Sequence, residues 1–188
     1  MAIGSQFMTT EEFLAIPDDG IDRDLIRGEV REYGMTTRGT PHCRVSIKLS
    51  YLLYEWLRRT PRPRGGLYGG DIRVRIRRDP DTFVGIDLAY ISPELEARTA
   101  RNATLIDGIP ELVVEIISPS DTAEGISEKI FEYQRAGVPL IWYVDPSVQT
   151  VTAYRLDGRH QMYNIHQDLT AEPELPGFRV RVAEIFED

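Results

Sequence analysis

Apolar positions along this chain fall into short continuous runs, short alternating runs and two longer stretches of helical period. Leu112, Val113, Val114, Ile116 and Ile117 form one run, interrupted only by Glu115 and closed by Ser118 and Pro119. Such a run predicts a buried strand with one carboxylate near its exit. Residues 82–91 have the same form, an apolar run broken by Asp87. Residues 140–145 give a third apolar strand, ended by Asp145 and Pro146, and residues 150–156 alternate, so these two predict an antiparallel hairpin. Residues 71–77 alternate as well, setting Ile72, Val74 and Ile76 inward and Arg73, Arg75 and Arg77 outward. A hairpin around Gly28 is predicted over residues 24–33, with fainter strand signals at 161–165 and a final edge element over 175–182.

The helical period is clearest at residues 41–58, where Val45, Leu49, Leu52, Leu53 and Trp56 recur at offsets of three and four. His42 stands at its entrance, as a cap or surface residue or as a phosphate contact beside a cleft. Ser120, Asp121 and Thr122 supply caps for a second helix running to about Ala136, with Ile126, Ile130 and Tyr133 as its apolar stripe and Gly137 as its stop. Lys129 lies beside that stripe and is placed to aim its ammonium at a strand end. Thr9 and Glu12 have capping-box spacing for a short first helix. Residues 61–70 read as a loop rich in proline, glycine and arginine. Residues 92–109 are polar and irregular, with a short helix at about 94–101, and can carry a lid or a surface excursion.

Composition narrows the class. With 188 residues, 41% hydrophobic and 28% charged, and no apolar run near 18 residues, the chain reads as one soluble domain over 1–188 without a membrane span. Residues 1–8 are expected to be a flexible leader. They lack a secretory or transit pattern, so a cytoplasmic location is expected. Cys43 is the single cysteine, which excludes an internal disulfide and a thiolate zinc cluster; it is expected to pack as a small apolar residue. A formal charge of −8 argues against a general nucleic-acid coat. Yet eight arginines fall within residues 58–78. Converging, they would hold a phosphate backbone; otherwise they form a solvated strand face and a basic loop.

Two acids within buried strands require a reason, because an ionised carboxylate is costly to bury unless it is paired, hydrogen-bonded or bound to a cation. If the strands are neighbours, Asp87 and Glu115 can converge on one divalent ion, whose preference for hard oxygen donors favours magnesium or manganese over zinc. The competing reading is a buried salt bridge from Lys129 to either acid. Glu29 is either an ordinary solvated acid or, if its hairpin folds over the main sheet, a further site residue.

These residues taken together resemble the Uma2 family of restriction-endonuclease-like proteins, a branch of the PD-(D/E)XK nuclease superfamily. The resemblance runs from Thr10 to Tyr154. It rests on Asp24-Leu25-Ile26-Arg27-Gly28-Glu29, His42, Asp87, the stretch from Leu112 to Ser120, Lys129, Tyr133, and the stretch from Gly137 to Pro146. It implies a mixed α/β architecture, a restriction-endonuclease-like central sheet flanked by helices, and a metal site near the open strand ends. Asp87 matches the aspartate of the superfamily's proline-aspartate motif, with Ile86 in place of the proline. Glu115 matches the acid of the acid-x-lysine motif, with Ile117 at the lysine position; Lys129 on the following helix is the matching candidate for that lysine. Glu29 matches an additional acid near the metal.

The resulting expectation is a magnesium- or manganese-dependent DNA endonuclease acting as a homodimer. Asp87 and Glu115 are its metal ligands, Lys129 and Glu29 assist catalysis, and His42, Arg73 and Arg75 contact substrate. The alternatives are a noncatalytic nucleic-acid-binding or interaction protein on the same fold, and a structural homodimer.

Overall fold

The computed structural model describes residues 7–33 and 39–187, so six of the eight leader residues lie outside it. Met8 is not loose: its N–H donates to the Gly28 carbonyl at 3.0 Å and its side chain packs beside Phe13.

In chain order the elements are α1 (Thr10–Leu14), β1 (Asp22–Ile26), β2 (Glu29–Tyr33), α2 (Thr40–Arg59), β3 (Gly66–Arg77) and β4 (Thr82–Ile91). There follow α3 (Pro93–Arg98), β5 (Ile106–Asp107), β6 (Leu112–Ile116), α4 (Ala123–Ala136), β7 (Leu140–Asp145) and β8 (Thr150–Arg155). The chain closes with β9 (His160–Asn164), β10 (Asp168–Thr170), β11 (Arg179–Arg181) and α5 (Ala183–Phe186).

Every residue of β4 is buried, and the large mixed sheet is built around it. One edge of β4 pairs with β3 along nearly its whole length. The other edge is shared: β1 meets its beginning at Leu25 and Phe83, and β6 pairs with its end from Leu88 to Tyr90. From β6 the sheet continues through β7, parallel to it, and then through antiparallel β8 and β9. Parallel neighbours need a crossover, and α4 provides it. Thr122 starts that helix by accepting the Gly125 N–H, and Gly137 ends it at φ 92°, a left-handed conformation in which glycine carries no Cβ penalty.

Period-2 alternation sorts β6 onto two cores. Leu112, Val114 and Ile116 face Val45, Leu49, Leu53 and Leu57 of α2. Val113 faces the other side, where Tyr133 of α4 packs with Ile141 and Tyr143.

Several expectations change. The glycine- and arginine-rich segment is not wholly loop, because β3 begins at Gly66 and bulges between Gly69 and Ile72, with Gly70 and Asp71 at φ 80° and 67°. The polar stretch after β4 is not a lid: β5 pairs parallel with β3 and ties it to the sheet. The predicted edge element at 175–182 splits. Leu175 and Phe178 join the core, with the Phe178 ring 5.4 Å from that of Trp142, and only residues 179–181 are a strand, paired with β10. Cys43 is exposed.

The arginine face of β3 is not solvated either. Arg75 is 7% exposed and donates to Asp107 on β5 at 2.8 and 3.1 Å and to Glu11 on α1 at 2.7 Å. Arg77 reaches the buried Glu132 of α4 at 3.2 Å. Arg75 therefore clamps three elements. Arg75→Ala leaves its acids able to hydrate but removes several charge-assisted bonds; it should lower stability by about 1–3 kcal/mol in urea unfolding. Any nucleic-acid affinity should be unchanged where the variant is folded.

Candidate functional site

The site lies where β1 and β6 part company along one edge of β4. The β4–β6 register, extended one step beyond Leu88 and Val114, sets Asp87 across from Glu115. Here a side chain takes over from the backbone ladder: Asp87 Oδ2 accepts the Ile116 N–H at 2.8 Å. On the opposite side of the opening, Asp24 Oδ1 of β1 accepts the Gly85 N–H at 2.8 Å. Two carboxylates thus stitch the split edge of β4 to its two neighbours, and a cavity of about 100 Å³ opens between them.

Six acids line it: Asp22, Asp24, Asp71, Asp87, Glu115 and Asp121. Asp71 arrives through the β3 bulge and lies against Gly85, where a Cβ would collide with its carboxylate. The lysine among them is Lys129, whose Nζ is 3.3 Å from Asp24 Oδ2, 3.3 Å from Glu115 Oε1 and 3.3 Å from the Gly85 carbonyl. The Tyr33 ring lies 5.8 Å from the same ammonium. Tyr133 of α4 donates its hydroxyl to Glu115 Oε1. His42 brings Nε2 to 3.2 Å from Asp87 Oδ2. An ionised carboxylate only accepts, so Nε2 carries the proton there.

Burial dominates the electrostatics. Glu115 is pushed up to about 7, chiefly by desolvation, which with repulsion from Asp87 and Asp24 outweighs Lys129 and the Tyr133 hydrogen bond. Burial acts to lower Lys129, but Asp24 and then Glu115 more than offset it and hold the ammonium well above its ordinary range. Between its ordinary value of 4.5 and about 7, Glu115 holds a proton in the native state that the unfolded chain has released. Native protein then binds more protons than unfolded protein, so this group's contribution to stability falls as pH rises through that window. The expected loss is on the order of 3 kcal/mol in metal-free buffer. Urea unfolding at pH 5 and pH 8, with Glu115→Gln as the comparison, measures it: the variant should lack this part of the slope.

The structure brings Asp87, Glu115, Lys129 and His42 together. His42 is 6% exposed and not a surface residue; it sits behind Asp87. Glu29 is not at the cavity. It faces solvent on the edge strand β2 and bonds Arg31 at 2.9 Å, because its hairpin presents β1, not β2, to β4. Asp24 of β1 lines the cavity instead. Arg73 stands at the rim, tied to the Arg23 carbonyl at 2.6 Å and to Asp22 and Asp24. Arg75 is remote, within its clamp. Sequence reasoning missed Asp24, Asp71, Tyr33 and Tyr143. Asp24 carried a usable signal, an acid directly preceding the buried pair Leu25 and Ile26, but the other three depend on which strands become neighbours.

No three His, Cys, Asp or Glu side chains among the described residues form a cage for a cation. Asp87 and Glu115 nevertheless fit a hard divalent ion. Magnesium is commonly held by one or two carboxylates, with waters and substrate phosphate completing its shell. The bonds to Glu115 fall on Oε1, and among the described residues Oε2 carries none.

A mixed sheet with helices on both faces and an acid pair where a strand edge divides is a restriction-endonuclease-like architecture. The family model of Uma2, described as "Putative restriction endonuclease", matches residues 10–183, and the chain belongs to this family. The crystal structure of a protein from Anabaena variabilis, titled a putative nuclease belonging to DUF820, superposes with a TM-score of 0.78 at 16% identity. The match covers 95% of this chain and 97% of that one, and at this identity it shows a shared fold. No curated protein matches. No described helix is long and apolar enough to cross a membrane.

Proposed function

We propose that this protein is a divalent-metal-dependent endonuclease that hydrolyses DNA phosphodiester bonds, with Asp87 and Glu115 as ligands of magnesium or manganese. The observation that carries this reading is the placement of Asp87 opposite Glu115 at the fork in β4, with Lys129 drawn up against Glu115 and Asp24. When bound, the ion supplies charge neutralisation for the phosphate and a more acidic water. The chain supplies the rest. The Ile116 N–H and His42 hold one oxygen of Asp87, so this carboxylate is oriented before substrate arrives. The Lys129 ammonium faces the same space and is the group that meets a non-bridging phosphoryl oxygen or orients the attacking water. Six carboxylates around so small an opening repel a polyanion, which makes the cation a condition of substrate entry as well as of chemistry. Asp24, in place of Glu29, is the additional acid beside the ion, and it also holds Lys129. Arg73 is a rim contact to a neighbouring phosphate.

Incubation with single-stranded and duplex DNA in magnesium, manganese or chelator tests this. Cleavage in metal and none in chelator is expected; no cleavage of any substrate would sink the proposal. The noncatalytic reading draws on the ion-paired state of Lys129, and DNA binding without turnover would favour it. Cleavage of both strands at one position calls for two such sites, hence a homodimer, and sedimentation measures that assembly.

A further inference from the structure

Tyr143 on β7 is the register neighbour of Glu115 in the parallel pair β6–β7, so both side chains leave the sheet on one face. It is 6% exposed and lines the cavity. Its hydroxyl is buried and finds no hydrogen-bond partner among the described residues. Buried hydroxyls are rarely left so, and a native exception calls for an explanation.

The contrast with Tyr133 is informative. Tyr133 comes from the helix above and spends its hydroxyl on Glu115 Oε1. Tyr143 comes from the sheet, and its hydroxyl hydrogen-bonds none of the six carboxylates that line the opening. The Tyr154 ring, edge-on at a centroid distance of 6.2 Å, braces Tyr143 on its far side. A phenol keeps its proton at neutral pH, so this hydroxyl is a donor. The proton of this hydroxyl has no acceptor among the described residues, and a phosphoryl oxygen in the opening would supply one.

We propose that Tyr143 is a further catalytic residue of this site, donating its hydroxyl to a non-bridging oxygen of the phosphodiester held beside Glu115. The proposal rests on the metal-dependent nuclease reading and adds a substrate-binding donor to it. The donor is neutral and directional, and it enters from the β7 side, opposite the strand that carries Asp87.

The test is Tyr143→Phe, which removes only the oxygen. Calorimetry with a dinucleoside monophosphate in calcium should show at least ~10-fold weaker binding than the parent, with the affinity for calcium alone unchanged. DNA cleavage in magnesium should fall ~10- to 100-fold in kcat/KM. The melting temperature should hold or rise, since the lost hydroxyl had no partner, whereas Tyr133→Phe should melt lower. Equal dinucleotide affinity and equal cleavage in parent and Tyr143→Phe would overturn the proposal while leaving the nuclease reading intact. So would a Tyr143→Phe protein that melts well below the parent, because its hydroxyl would then be part of the fold. A parent that neither binds the dinucleotide nor cleaves DNA in any divalent ion would overturn the nuclease reading, and this proposal with it.

Discussion

Glu115→Gln should lower metal-dependent DNA cleavage by about three orders of magnitude while the protein stays folded. An ion that polarises a phosphoryl oxygen and acidifies a water contributes several kcal/mol in the transition state, and about 4 kcal/mol is a thousandfold in rate. Glutamine matches the shape of glutamate and keeps one oxygen, so it can still accept from Tyr133, but it has no charge to hold the ion. Two features keep the result from being a folding artefact. Glu115 is buried and pushed up to about 7, so near neutral pH much of it is already uncharged in metal-free protein, and a neutral amide is a mild change there. The variant should also be no less stable than the parent at pH 8, because it removes a carboxylate that is costly to ionise. Circular dichroism and manganese calorimetry complete the measurement: folded protein, ion binding lost, cleavage lost. Cleavage within tenfold of the parent would remove Glu115 from the metal site. Asp87→Asn should match the loss of cleavage. Its destabilisation should be greater, since Asp87 Oδ2 accepts from both Ile116 and His42, and an amide placed there can turn its donor toward them.

Lys129→Met should have the opposite profile, with a large effect on stability as well as on rate. Its ammonium stands 3.3 Å from Asp24 and 3.3 Å from Glu115, and both acids are buried. Removing one member of a buried ion-paired set strands the others, at about 3–5 kcal/mol. The loss should shrink as pH is lowered from 8 to 5, because Glu115 then takes up a proton and no longer needs the cation. Unfolding of Lys129→Met, Glu115→Gln and the double variant at both pH values checks this. The two substitutions should be strongly non-additive at pH 8, since a neutral amide in place of the Glu115 carboxylate leaves only Asp24 for the ammonium to balance. Additivity within about 0.5 kcal/mol would mean the pair does not interact. Lys129→Arg should restore much of the stability but little of the rate, because a planar fork cannot replace a point charge in a space of about 100 Å³.

The apolar runs of β4, β6 and β7 and the helical stripes of α2 and α4 were legible because each buries a face with its own period. Burial on a known period needs no partner to be recognised. Asp87, Glu115 and Lys129 were legible for the complementary reason: a charge set into an apolar run, or beside an apolar stripe, stands out against its neighbours. Arg75 misled for want of that contrast. Alternation assigned it outward, and the acids that cover it come from α1 and β5, residues 11 and 107, far away in sequence. Glu29 misled because a hairpin offers two strands to a sheet, and nothing local says which one docks.

Local pattern and composition thus determined the central strands and the two long helices, the buried acids and the lysine beside them. Tertiary structure decided that β1 and β6 divide one edge of β4, that Asp24 and not Glu29 enters the opening, that His42 turns inward behind Asp87, and that Tyr143 stands beside Glu115. These are facts about which strands become neighbours and in what register. Pairing energy comes from backbone groups that every residue but proline carries alike, so the choice is made by the packing of whole faces and not by any one stretch of chain.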